Sequence, residues 1–262
     1  MISTDFNDEG LANININGKT QFRVYFESST NNDNNSDYLS FYSGEDAQQY
    51  QPKLKITYLT NGTPIEEFSS REAEDGRIYA RYISSAWVSD GVISNDLTSQ
   101  ALRIGDYETT GPYSYKNIVS FDTSSLPDDC NIISAKLQLI RGYSYGTDPF
   151  TWTGNPECLI DIANPYFGSS INLELDDWDA SADDVNVASF SADPGQDQAM
   201  VSTEFDQNSL TFINKTGTTQ LRFYIDSYYN NDATDDFLGF YPGEQTATDK
   251  EPKLIIQYQI NP

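Results

Sequence analysis

Gln220-Leu221-Arg222-Phe223-Tyr224-Ile225-Asp226 is the stretch that decides the fold. Leu221, Phe223 and Ile225 alternate with Gln220, Arg222, Tyr224 and Asp226, a period of two that puts apolar side chains on one face of an extended chain and polar ones on the other. Ile133, Ala135, Leu137 and Leu139 alternate in the same way with Ser134, Lys136 and Gln138. Breaks rich in Gly, Asn, Asp and Pro recur at short intervals, and no long stripe at helical spacing is present. Strands are predicted near 76–82, 101–105, 116–122, 132–140, 157–163, 186–190, 210–214, 219–227, 236–241 and 252–258. So many short antiparallel strands fill two facing sheets. The expected fold is all-β, a jelly-roll-like antiparallel β-sandwich over residues 71–258.

The deciding stretch has an earlier copy. Gln21-Phe22-Arg23-Val24-Tyr25 matches Gln220-Leu221-Arg222-Phe223-Tyr224, and Ser3-Thr4-Asp5-Phe6 matches Ser202-Thr203-Glu204-Phe205. Asn31-Asn32-Asp33 returns as Asn230-Asn231-Asp232, and Phe41-Tyr42-Ser43-Gly44-Glu45 as Phe240-Tyr241-Pro242-Gly243-Glu244. Such self-similarity marks a duplicated module. Residues 1–58 read as the C-terminal part of a preceding repeat, with strands near 11–16, 20–27, 38–42 and 52–58, and residues 59–70 read as a linker. Half a sandwich leaves core surface and strand edges uncovered, so residues 1–58 are expected to pair with neighbouring repeats or with a second chain.

The 262 residues carry 40 acidic and 15 basic side chains, a net charge of −25. That field repels phosphate backbones, so nucleic acid is not an expected partner. It suits divalent cations, which take hard oxygen ligands. Histidine is absent, which argues against triad hydrolases and zinc enzymes. The two cysteines, Cys130 and Cys158, fall at the edges of predicted strands and can be read as a disulfide or as two buried thiols. No apolar run reaches the length of a membrane span.

Phe121-Asp122-Thr123-Ser124-Ser125-Leu126-Pro127 followed by Ile132-Ile133-Ser134-Ala135-Lys136-Leu137-Gln138-Leu139 resembles the disaggregatase-related repeat of methanogenic archaea, within the broader group of DNRLRE-type β-sandwich modules. The resemblance extends to Glu74–Ala80, Leu102–Gly105, Phe240–Glu244 and Pro252–Tyr258. It implies an extracellular or cell-surface, matrix-associated protein, and a module related to some that bind acidic polysaccharide.

Two oxygen-rich segments are candidate calcium sites. Asn31, Asp33, Asn35 and Asp37 alternate along one loop, and the repeat places Asn230, Asp232, Thr234 and Asp236 at the same spacing. Asp176, Asp177, Asp179, Asp183 and Asp184 surround Trp178. Both patterns also suit turns that hydrogen-bond their own backbone. Aromatic residues crowd the breaks between strands: Tyr143, Tyr145, Phe150 and Trp152, with Tyr113 and Tyr115 in a similar setting, and Tyr228 with Tyr229 where the first copy has Ser29 and Thr30. Sugar rings present apolar faces that stack on aromatic rings, and Arg141 and Lys116 are candidates to meet uronate carboxylates. No carboxylate pair stands out for hydrolysis, so binding is expected rather than catalysis. The reading is a module that binds acidic polysaccharide with calcium assistance. The alternative is a structural repeat that mediates self-assembly.

Overall fold

The structure, a computed structural model, describes residues 6–15, 18–25, 40–45, 51–54, 63–94, 96–243 and 249–260. Contacts divide the chain into two units, Met1–Thr57 and Tyr58–Pro262.

The second unit is all-β. Its strands are β1 (Ile65–Ser69), β2 (Gly76–Ile83), β3 (Ala86–Ser94), β4 (Leu102–Tyr107), β5 (Tyr113–Asp122), β6 (Cys130–Tyr145), β7 (Cys158–Ala163), β8 (Asp184–Phe190), β9 (Ala199–Val201), β10 (Thr218–Ile225), β11 (Phe237–Phe240) and β12 (Lys253–Ile260). Every pairing between them is antiparallel. The order β1-β12-β6-β11-β4 continues through β5-β10-β7-β8, with β2 and β3 branching from β5 and β9 flanking β6. The two runs are joined where β4 turns into β5, at Asp106 opposite Ser114 and Tyr107 opposite Tyr113, and an isolated bridge sets Ser70, just after β1, opposite Phe121 of β5. The sheet curls there, so its two halves face each other.

Alternation supplies the core between the halves. Leu221, Phe223 and Ile225 of β10 pack into one cluster with Leu137 and Leu139 of β6, Leu254 and Ile256 of β12, and Leu238 and Phe240 of β11. Burying each such side chain contributes about 1.5–3 kcal/mol. The opposite face of β10 is not in water, contrary to the simple reading of the alternation. Gln220 and Arg222 are 2% and 5% exposed. Between β7 and β8 the chain folds over them, and its Phe167 and Trp178 build a second cluster with Ile78, Ala80, Ile118 and Ala163.

Several elements differ from expectation. Residues 65–69, read as linker, form β1 on the free edge of β12, with Phe68 in the core. The strand expected near 210–214 is instead a 3-10 turn, Ser209–Phe212, that drops Leu210 and Ile213 into the core. Cys130 and Cys158 are buried free thiols. Cys158 pairs with Ile225 at the end of β10, whereas the backbone of Cys130 binds Lys215, which precedes the start of β10. A strand of this length, at about 3.4 Å per residue, keeps the two sulfurs out of bonding range.

In the first unit, residues expected to begin a strand near 11–16 form a helical turn, Asp8–Ala12, capped by the Asn7 side chain, which accepts the Gly10 N–H at 2.9 Å. In the sequence echo this turn aligns with Ser209–Phe212, so both copies turn at the same place. Phe6 stacks on Phe22 with ring centroids 5.3 Å apart. The strands expected near 20–27, 38–42 and 52–58 fall partly outside the described residues, and the described parts are not strand. Among the described residues no helix is long and apolar enough to cross a membrane.

Candidate functional site

On β2, Ile78 and Ala80 point into the second cluster, so Arg77, Tyr79 and Arg81 take the other face. β5 sets Asn117, Tyr115 and Tyr113 opposite them in register. On β4, Leu102 and Ile104 enter the core, leaving Arg103 on the far side. Beside β4 a cavity of about 250 Å³ opens, lined by Arg77, Tyr79, Arg103, Tyr107, Tyr113 and Tyr115. A neighbouring cavity of about 320 Å³ shares Arg103 and Tyr107 and adds Tyr143, Tyr145, Asp235 and Phe237. Together they make an open groove with phenol rings and guanidinium groups along its walls.

The rings are fixed by one another. Tyr145 stacks on Phe237 at 5.9 Å and Tyr143 tilts against the same ring at 6.1 Å, yet they remain 53% and 41% exposed. Tyr79 meets Tyr113 edge-on at 6.0 Å. The close approach needs a glycine on β3: a Cβ at Gly91 would collide with the Tyr79 hydroxyl. The Tyr113 hydroxyl donates to Asp90 at 3.1 Å.

The electrostatics of the groove run against those of the chain. Three of seven arginines border it in a protein of net charge −25. Arg103 lies over the Phe237 ring at 4.4 Å and the Tyr115 ring at 5.7 Å. Arg81 lies over Tyr113 at 5.6 Å. Among the described ion pairs neither Arg81 nor Arg103 takes part. Arg77 is 5% exposed and pairs with Asp96 at 3.3 Å. Burial, and then the charge of Arg103, lower its pKa.

Of the residues selected from sequence, Tyr143 and Tyr145 belong to the groove, on the extended end of β6 rather than in a loop. Tyr113 and Tyr115 join them. Phe150 and Trp152 pack in the core between the two halves and do not line the groove. Arg141 is buried in a two-pronged contact with Asp193, at 2.9 and 2.8 Å, so its charge is already met by a carboxylate of the chain. Lys116 is equally withdrawn: its Nζ donates to the Trp178 carbonyl at 2.6 Å beneath the Trp178 ring, and burial pushes its pKa down to about 8. Tyr228 and Tyr229 are half-buried against Trp87, at 5.2 and 5.8 Å, roofing the second cluster apart from the groove.

Among the described residues no group of three acidic side chains has metal-holding geometry. In the 230–236 loop the Asn230 amide donates to both Asp236 (2.7 Å) and Asp232 (3.1 Å), so a neutral donor occupies the centre. Asp236 also accepts the Thr147 N–H, and Asp232 that of Thr234. The matching loop of the first copy lies outside the described residues. Asp177 is buried and accepts the Glu174 N–H, while Asp183 caps Asn164 and Asp184 accepts from Ser209. Asp176 and Asp179 are exposed.

Arg77, Arg81 and Arg103 escaped the sequence reading. Their signal was a strand phase: Arg77 and Arg81 alternate with Ile78 and Ala80, a cationic stripe on a buried strand. No protein-family model matches the chain, and comparison with curated proteins gives no match.

Proposed function

We propose that the Tyr58–Pro262 unit is a polysaccharide-binding module for acidic glycans, part of an extracellular or cell-surface protein. One observation carries this reading: exposed tyrosine rings share a groove with Arg81 and Arg103, which take part in none of the described ion pairs. Pyranose C–H faces stack on such rings, and guanidinium groups make charge-assisted bonds to carboxylate or sulfate. The resemblance to matrix-associated repeats, and the jelly-roll-like arrangement it implies, point the same way. The test is affinity electrophoresis of the full chain through gels containing polyuronate, sulfated galactan or neutral glucan, run with calcium and with chelator. Retardation by the acidic polymers, lost in Tyr143→Ala/Tyr145→Ala with the circular dichroism spectrum unchanged, is the expected result. Free migration in every gel removes the reading.

A second reading rests on the first unit. Phe22, Val24, Tyr25, Phe41 and Tyr42 are 50–85% exposed there, whereas their counterparts Leu221, Phe223 and Phe240 are fully buried. So much bare apolar surface suits a repeat that assembles with others. Light scattering of the full chain decides: growth in mass with concentration, abolished by Val24→Ser/Phe41→Ser, favours assembly, and a monomer at all concentrations discards it.

A further inference from the structure

Arg77 and Arg103 are bound to each other through one oxygen. Arg77 Nη1 donates to the Gln100 carbonyl at 3.0 Å, and Arg103 Nε donates to the same carbonyl at 3.2 Å. Two like charges are thereby held side by side at the wall of the groove, and among the described residues Asp96 is the one carboxylate paired to either. Arg103 Nη2 is held by the Gln100 side chain at 2.9 Å. Arg77 Nη1 also reaches the Ala101 carbonyl, but its buried Nε has no acceptor among the described residues. An unmatched buried guanidinium N–H costs about 1–3 kcal/mol unless something meets it. Here two cations converge on a space lined by phenol rings.

We infer that Arg77 and Arg103 form a seat for one oxoacid group of a glycan, a uronate carboxylate or a sulfate ester, and that the seat works without calcium. The inference rests on the polysaccharide reading and narrows it. A planar or tetrahedral oxoanion offers several acceptor oxygens, which suits two guanidinium groups brought together from β2 and β4, strands that both pair with β5. Its charge offsets the mutual repulsion of the pair. The sugar carrying it lies toward Tyr107, Tyr143 and Tyr145, where a ring finds apolar faces. A calcium ion brought into this space would meet like charge, so bridging by metal is disfavoured at this position.

Titration calorimetry of the full chain tests the seat, with a tetrauronate, the same oligosaccharide after reduction of its carboxylates to alcohols, and a sulfated tetrasaccharide, all in chelator. An acidic ligand is expected to bind with affinity that falls as salt is raised, while the reduced form binds at least about tenfold more weakly. Arg103→Gln is expected to cost about ten- to a hundredfold in affinity for the acidic ligand and to cost the reduced ligand far less. Arg103→Lys, which keeps the charge and loses the fork, recovers only part. Equal affinity for acidic and reduced ligands, a flat salt dependence, or loss of acidic binding in chelator overturns the seat. In the first two cases, loss on Tyr145→Ala leaves the polysaccharide reading standing. If no oligosaccharide binds in either calcium or chelator, both fall. The salt dependence uses the unaltered chain, so the seat is judged even if the arginine variants do not fold.

Discussion

The most constrained side chain outside the groove is Arg222. It is 5% exposed and meets Asp161, itself 1% exposed, at 2.7 and 3.1 Å. Its other edge donates to the carbonyls of Asp177 and Ala180, both at 2.8 Å, pinning the covering chain onto β10. A buried pair contributes little over an apolar replacement, but removing one partner strands the other charge in a dry site. Asp161→Ala is therefore expected to lose about 3–5 kcal/mol in urea unfolding. The double variant Asp161→Ala/Arg222→Met is expected to lose less than Asp161→Ala alone; a loss equal to the sum of both single variants would contradict this account. Gly91→Ala acts at the groove instead. The new methyl displaces the Tyr79 ring from its place over β3. Weaker retention on acidic glycan with an unchanged melting temperature is expected, and full retention would remove Tyr79 from the site.

At the scale of elements, legibility followed the size and phase of the buried residues. β10 could be read because three large apolar side chains alternate without interruption. β1 could not: of its five residues only Phe68 is buried, so no period is visible. β3 was hidden because none of its residues is fully buried and its apolar side chains, Trp87, Val88, Val92 and Ile93, stand on both faces. The end of β6 looked like loop because Gly142 and Gly146 flank Tyr143 and Tyr145. Gly142 is required by close approach to the Ser99 carbonyl, and Gly146 has a positive φ of 66°. The groove itself was only partly legible, through its tyrosines. It draws on β2, β4, β5, β6 and β11, and no local spacing announces such an assembly. β1 also makes a prediction. It caps the free edge of β12, and Phe68 is its single tie to the core. Phe68→Ala is expected to destabilise the unit by about 3–5 kcal/mol and to expose the β12 edge. Hydrogen exchange should then quicken along Leu254–Gln257 before it quickens in β10; uniform protection in both strands would show that β1 is dispensable.

Over the whole molecule, net charge and burial together set a pH dependence. Burial pushes the carboxyl pKa of Asp75 up to about 8, that of Asp106 to about 7 and that of Asp177 to about 6. Each group binds its proton more tightly folded than unfolded. The stability it contributes is fully present below its unfolded pKa, near 4, and is lost as pH rises through the folded value. Hydrogen bonds from Ser124 and Thr234 hold Asp122 and Asp232 below the usual range, with the opposite sign: their contribution is present above the unfolded value and lost on further acidification. Stability is thus expected to rise as pH falls from 8 to about 5, by up to about 1.4 kcal/mol per unit for each raised carboxyl, and to fall again below about 4. Relief of the −25 net charge acts in the same direction over the upper range. Salt separates the two causes, because it screens the surface field and not a group as buried as Asp75. Asp75 accepts the Ser120 N–H at 2.9 Å and the Gly243 N–H at 3.2 Å, tying β5 to the segment after β11. Asp75→Asn fixes that side chain neutral. Calorimetric melting at high salt should show a rise between pH 8 and 5 in the parent chain and a shallower one in the variant. Identical slopes would assign the pH dependence to the surface charge alone.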